Sequence, residues 1–207
     1  GSVDTSTVGT YTITYSATDA SGNTGTATRT VTVVDTTAPV VTVTGDTSVT
    51  VELGSTYSDA GATATDLSGD VTVVSSGTVD TDTLGEYVIT YTSTDASGNT
   101  GTATRTVTVV DTTAPVITVI GDNPATVELN STYTDEGATA DSGETVISTS
   151  DVNTAIVGTY TVTYSATDAS GNEGTATRTV TVVDTTAPVI TVIGDNPATV
   201  ELNSTYT

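Results

Sequence analysis

The chain repeats itself, and the repeat sets what it can fold into. Asp-Thr-Thr-Ala-Pro stands at 35–39, 111–115 and 184–188, returning after 76 and then 73 residues. Residues 94–110 are identical to 18–34 and return at 167–183 with one change, Glu173 where Thr100 stands. A period of this size exceeds that of solenoid units and suits one small β-domain per copy. The frame predicts two whole repeats, 35–110 and 111–183. They are flanked by the back of one repeat, 1–34, and the front of another, 184–207, which is identical to 111–134. The two partial pieces together lack a stretch matching 59–76, which carries two expected strands. One chain's tail is therefore not expected to complete the next chain's head, and the chain reads as a window on a longer array.

Composition narrows the chemistry. Cys, Met, Trp, Phe, His and Lys are all missing. This removes disulfides, thiolate and imidazole metal sites, most acid–base and Schiff-base catalysis, and lysine isopeptide cross-links. Three arginines against 25 acidic residues give a net charge of −22. Such a surface repels nucleic-acid phosphates and anionic membranes and favours solubility and cation binding. No apolar run approaches the length of a membrane-spanning helix, and no leader segment is visible.

Thr, Val, Ile and Tyr alternate with period 2 between clusters of Gly, Asn, Asp and Ser, the pattern of strands and turns. Strands are expected near 39–45, 48–53, 59–65, 71–76, 86–94 and 101–110. In the next repeat they are expected near 115–120, 125–129, 136–140, 144–149, 159–167 and 174–183. Tyr87, Ile89 and Tyr91 share a face with Ala103, Val107 and Val109 of the partner strand, and these form the expected core. Thr102, Thr104, Thr106 and Thr108 face outward. Such threonine rows invite ice binding or O-glycosylation, but Thr is also simply a good solvent-facing strand residue. Asn130 and Asn203 begin Asn-Ser-Thr sequons. Pro39, Pro115 and Pro188 suit the first residue of a strand.

Gly85-Glu-Tyr87, Gly9-Thr-Tyr11 and Gly158-Thr-Tyr160 each open a penultimate strand and look like a tyrosine corner. With the linker motif and the Thr-Ala-Thr-Arg-Thr-Val-Thr-Val strands, the chain resembles the tandem immunoglobulin-like, HYR-like repeats of large bacterial surface proteins. The resemblance implies an all-β fold of tandem immunoglobulin-like sandwiches in a linear array, outside the cell or at its surface. Repeats of this kind serve mostly as stalks and spacers.

The acidic loops are the candidate site. With strands alternating in direction, loops fall at two poles. The linker residue Asp35, the loop holding Asp66 and Asp70, and the loop from Asp95 to Asn99 are expected at the pole facing the preceding domain. Their counterparts are Asp111, Asp141 with Glu144, and Asp168 with Asn172. Calcium takes 6–8 oxygen ligands, and binding there would neutralise repulsion and stiffen the joint. No EF-hand or nonapeptide calcium motif is present. The plainer alternative is that these residues shape turns and keep the surface acidic. Arg29, Arg105 and Arg178 occupy one equivalent, core-facing position. They are expected to snorkel to the rim and pair with a carboxylate, with Glu52 and Glu128 as candidates.

These readings converge on a structural protein: a stalk, adhesin shaft or filament whose partners are neighbouring repeats, with self-association into fibres possible. The alternative is a glycan- or protein-binding module that uses the repeat loops. No catalytic constellation is visible.

Overall fold

The computed structural model describes residues 2–207 and divides into two compact units, 1–112 and 113–207. Among the described residues there are fourteen strands and no helix.

The first unit begins with a hairpin of β1 (Gly9–Thr18) and β2 (Thr24–Val33), paired antiparallel along their whole length. Six strands follow: β3 (Val40–Val43), β4 (Ser48–Glu52), β5 (Ala62–Thr65), β6 (Val73–Ser76), β7 (Gly85–Thr94) and β8 (Thr100–Val110). They form a four-stranded sheet, β4-β8-β7-β6, and a two-stranded sheet, β3-β5. The core lies between them. Ile89, Tyr91 and Val107 are buried against Val41, Val43, Val51, Tyr57, Ala62, Val73 and Val79. The alternation that predicts this face also predicts Ser93 and Arg105 on it, and both are buried.

The second unit repeats the arrangement with β9 (Ile117–Val119), β10 (Ala125–Glu128), β11 (Ala138–Ala140), β12 (Ile147–Ser150), β13 (Gly158–Thr167) and β14 (Glu173–Val183). Its sheets are β10-β14-β13-β12 and β11-β9. Its core holds Val127, Val162, Tyr164, Val180 and Val182.

One expectation fails. The strands do not all alternate in direction: β4 runs parallel to β8, and β10 parallel to β14. The chain leaves β3 at Thr44, turns at Gly45 (φ 78°) and crosses to the other sheet, where β4 lines up beside the last strand. Thr106 and Thr108 are consequently half-buried instead of fully exposed. The tyrosine corners are present in all three copies. Tyr11, Tyr87 and Tyr160 donate to the carbonyls of Thr7, Thr83 and Ile156 at 2.8, 2.8 and 2.9 Å.

Gly101 and Gly174 have a structural cause that strand periodicity does not convey. A Cβ on either would run into the backbone carbonyl oxygen of Pro39 or Pro115. Each β-sheet therefore starts its last strand against the buried proline that opens the domain. Asn130 and Asn203 carry positive φ, 59° and 70°, and stand where Gly54 (φ 72°) stands in the first copy. Asn tolerates that conformation, so turn geometry accounts for the first residue of both sequons.

Candidate functional site

The loop from Asp95 to Asn99 folds around its own first residue. Asp95 Oδ1 accepts from the amides of Ser97 (2.9 Å) and Asn99 (2.8 Å), and Oδ2 accepts from Asn99 Nδ2 (2.8 Å). Gly98 takes the positive φ (89°) that closes the turn. Asp95 is buried. Burial works to raise its carboxyl, but the Asn99 side chain and the surrounding amides outweigh that and hold it below its ordinary value. The same scaffold recurs at Asp19–Asn23 and at Asp168–Asn172.

Asn99 also reaches the linker, donating from Nδ2 to the Asp35 carbonyl at 3.2 Å. Asp35 Oδ1 accepts from the Thr37 amide at 3.0 Å. Asp66, at the end of β5, accepts through Oδ2 from the amide and hydroxyl of Ser68. These turns spend one oxygen of each carboxylate. The others, Asp35 Oδ2 and Asp66 Oδ1, are buried and have no hydrogen-bond partner. Asp35, Asp66 and Asp95 each place a carboxylate oxygen within 4.8 Å of the other two.

Three carboxylates at this separation oppose one another. Two unit charges 4.8 Å apart repel by about 3–4 kcal/mol at an effective dielectric of about 20. A hard cation placed among them would relieve that repulsion and supply what the two orphaned oxygens lack. Oxygens bound at about 2.4 Å, the calcium distance, lie at most about 4.8 Å apart, so the trio fits inside one calcium coordination sphere. Asp70 is exposed beyond the Leu67–Gly69 turn and stands outside the trio. Asn99 supports the trio as scaffold.

The family is legible once this geometry is in place. The chain matches the family described as "Bacterial surface protein, Ig-like domain" over residues 1–33, 41–109 and 117–182. It belongs to that family. Hyalin of Strongylocentrotus purpuratus is 48% identical over 110 residues, covering 46% of this chain and 9% of the relative. Hyalin of Lytechinus variegatus is 40% identical over 124 residues, covering 54% and 23%. The serine-rich adhesin for platelets of Staphylococcus aureus is 37% identical over 102 residues, covering 40% and 4%. The chain thus spans less than a quarter of the length of these relatives. Family and relatives place it in the extracellular space or at the cell surface, in a role that is structural or adhesive at that level. Among the described residues no helix is long and apolar enough to cross a membrane.

In the second Ig-like unit the corresponding residues are placed as follows. Asp141 Oδ1 accepts from the Val116 amide at 2.9 Å, which lowers its carboxyl, and its own amide donates to the Val116 carbonyl at 3.1 Å. Glu144 is half-buried, with Oε2 buried and unpartnered. Asp168 and Asn172 repeat the scaffold described above. Asp111 follows β8 in the first unit and is half-buried.

The arginines correct an expectation. Arg105 and Arg178 do not snorkel, being only 2% and 1% exposed, and their partners are not Glu52 and Glu128. Arg105 pairs with Asp59 and also donates to the carbonyls of Thr44 and Asp46. Arg178 pairs with Asp135 and donates to the Ile120 carbonyl. Tyr91 and Tyr164 complete each network, donating to Asp59 and Asp135 at 2.7 Å. The Arg105 guanidinium stays in because the segment after β4 brings Asp59 to it, so its charge and all three nitrogens are matched, whereas Arg178 Nε is buried without a hydrogen-bond partner. In the isolated hairpin β1–β2, Arg29 is exposed and stacks over Tyr15 at 6.0 Å.

Proposed function

We propose that the chain is a run of spacer domains from the shaft of a cell-surface or extracellular protein, in which residues 35–110 and 111–183 are whole repeats and 1–34 and 184–207 are parts of two more. Its partners are its own neighbouring repeats, and its work is mechanical: holding other parts of a long protein at a distance. Near-identical loops in every copy support a spacer over a recognition module, because a binding surface needs loops that differ from the scaffold around them.

In this reading Asp35, Asp66 and Asp95 hold a calcium ion, with Asn99 as their support, and Asp111, Asp141, Glu144, Asp168 and Asn172 are the corresponding residues one repeat on. The ion would tie the linker residue Asp35 to two loops of the following domain. The observation that carries this is the pair of buried, unpartnered oxygens on Asp35 and Asp66, since buried polar atoms are almost always satisfied. Calorimetric titration of calcium into the chelator-treated 207-residue chain tests it. Saturable binding is expected, with a dissociation constant on the order of 10⁻⁴ M, as in extracellular modules. Asp66→Asn is expected to weaken it at least tenfold while leaving the far-ultraviolet circular dichroism unchanged. No saturable heat, together with identical melting in calcium and in chelator, sinks the calcium reading.

A further inference from the structure

Glu52 and Glu128 are left without the role that sequence suggests for them, because Asp59 and Asp135 hold the arginines. Each ends a strand that runs parallel to the domain's last strand, with Glu52 opposite Val110 and Glu128 opposite Val183. The Leu53 and Leu129 amides donate to the carbonyls of Val110 and Val183 at 2.7 Å, the last rungs there. Beyond this point the linker amides have no ladder and need other acceptors.

The two glutamates supply them. Glu52 Oε1 accepts from the Thr112 amide at 2.7 Å, and Oε2 from the Thr112 hydroxyl at 2.9 Å. Glu128 accepts from the Thr185 amide and hydroxyl, both at 2.8 Å, and from the Thr186 amide and hydroxyl at 3.1 and 2.9 Å. Four donors nearly saturate one carboxylate. Two consecutive amides aimed at one anion form a nest, and charge-assisted bonds of this kind are the strong ones. The Thr185 hydroxyl and amide, then the Thr186 hydroxyl, hold the Glu128 carboxyl below its ordinary value, so it stays ionised at neutral pH.

We infer that Glu52 and Glu128 are positioning residues that clamp the linker, so that the domain behind it fixes the direction in which the chain leaves. The clamp needs no cation. In the 184–188 linker both threonines after the aspartate take part, each contributing an amide and a hydroxyl. The aspartate serves the other side. Asp35 offers its carbonyl to Asn99 of the following domain, and its carboxylate lies with Asp66 and Asp95. The aspartate of the 35–39 linker is thus held by the domain that follows it, and the threonines of the later two linkers by the domain that precedes them.

Amide hydrogen exchange of the 207-residue chain in chelator tests the clamp. The amides of Thr112, Thr185 and Thr186 are expected to exchange at least tenfold slower than their free-peptide rates. In Glu52→Ala and Glu128→Ala this protection is expected to vanish at Thr112 and at Thr185 and Thr186 respectively, while β8 and β14 keep theirs. Unchanged protection in the folded variants overturns the inference. If the variants unfold, the parent chain alone decides: free-peptide rates at these three amides overturn it. Because chelator is present throughout, the outcome is independent of whether calcium binds.

Discussion

At the scale of single residues, the most consequential side chains are the ones most easily misplaced from sequence. Arg105 sits on the core face by strand alternation, and a charge there invites the expectation that it escapes to the rim. It stays because Asp59 meets it, and Asp59 lies in an irregular stretch with no periodicity to announce it. Glu52, on a regular strand, is the more conspicuous partner and the wrong one. Tyr91 ties the pair into the core. Burial first, then its hydrogen bond to Asp59 and the charge of Asp59, push its hydroxyl up to about 12, and Tyr164 is likewise raised to about 12. A raised folded value means that the folded chain holds the proton longer than the unfolded chain. The tyrosine contribution to stability is therefore complete below about pH 10, the unfolded value, and is lost as pH rises from there through about 12. Urea midpoints between pH 8 and 12 should fall across that window. Tyr91→Phe should cost about 1.5–3 kcal/mol at pH 7, the worth of a hydrogen bond to a charged group, and should flatten the alkaline decline. An equal decline in the variant would place the titration elsewhere.

At the scale of elements, the strands were legible because period-2 alternation and turn residues agree throughout the repeat. On β7 and β8 Thr marks most of the outward positions, at 90, 92, 94, 102, 104, 106 and 108, with Val88 an exception. What periodicity cannot convey is how elements lie across one another. The parallel pairing of β4 with β8 depends on where the chain switches sheets, near Gly45, and no local pattern encodes it. Gly101 is similar. Within a strand it reads as a weak residue, yet its missing side chain is what lets the Pro39 carbonyl approach. The candidate site divides the same way. The topology of the loops predicts that Asp35, Asp66 and Asp95 converge, whereas the exclusion of Asp70 follows from the tight Asp66–Gly69 bridge, a detail of turn geometry. The three equivalent glycines offer an internal control. Gly101→Ala and Gly174→Ala should each cost about 1–3 kcal/mol, as overpacking does. Gly25→Ala, which meets nothing within 4 Å, should change stability by less than about 0.5 kcal/mol. Denaturant melts of the three variants separate close approach from strand propensity, for propensity alone would favour alanine at all three.

At the scale of the whole molecule, charge is the dominant property. The chain carries −22, and two of its three arginines are consumed in buried pairs. The surface therefore repels itself, and any salt should stabilise the fold by screening. That expectation sets the standard a specific ion must exceed. At matched ionic strength sodium and calcium screen to a comparable degree, but the proposed site at Asp35, Asp66 and Asp95 would favour the divalent ion, whose higher charge offsets more of the carboxylate repulsion. Sodium chloride should raise the thermal midpoint gradually, without saturation. Calcium chloride at the same ionic strength should raise it further and saturate, by the mass-action gain of a ligand that binds only the folded state. In Asp66→Asn the two salts should become equivalent. If the parent chain already responds equally to both, the acidic loops act through net charge alone, and the glutamate clamps remain as the proposed hold on the linkers.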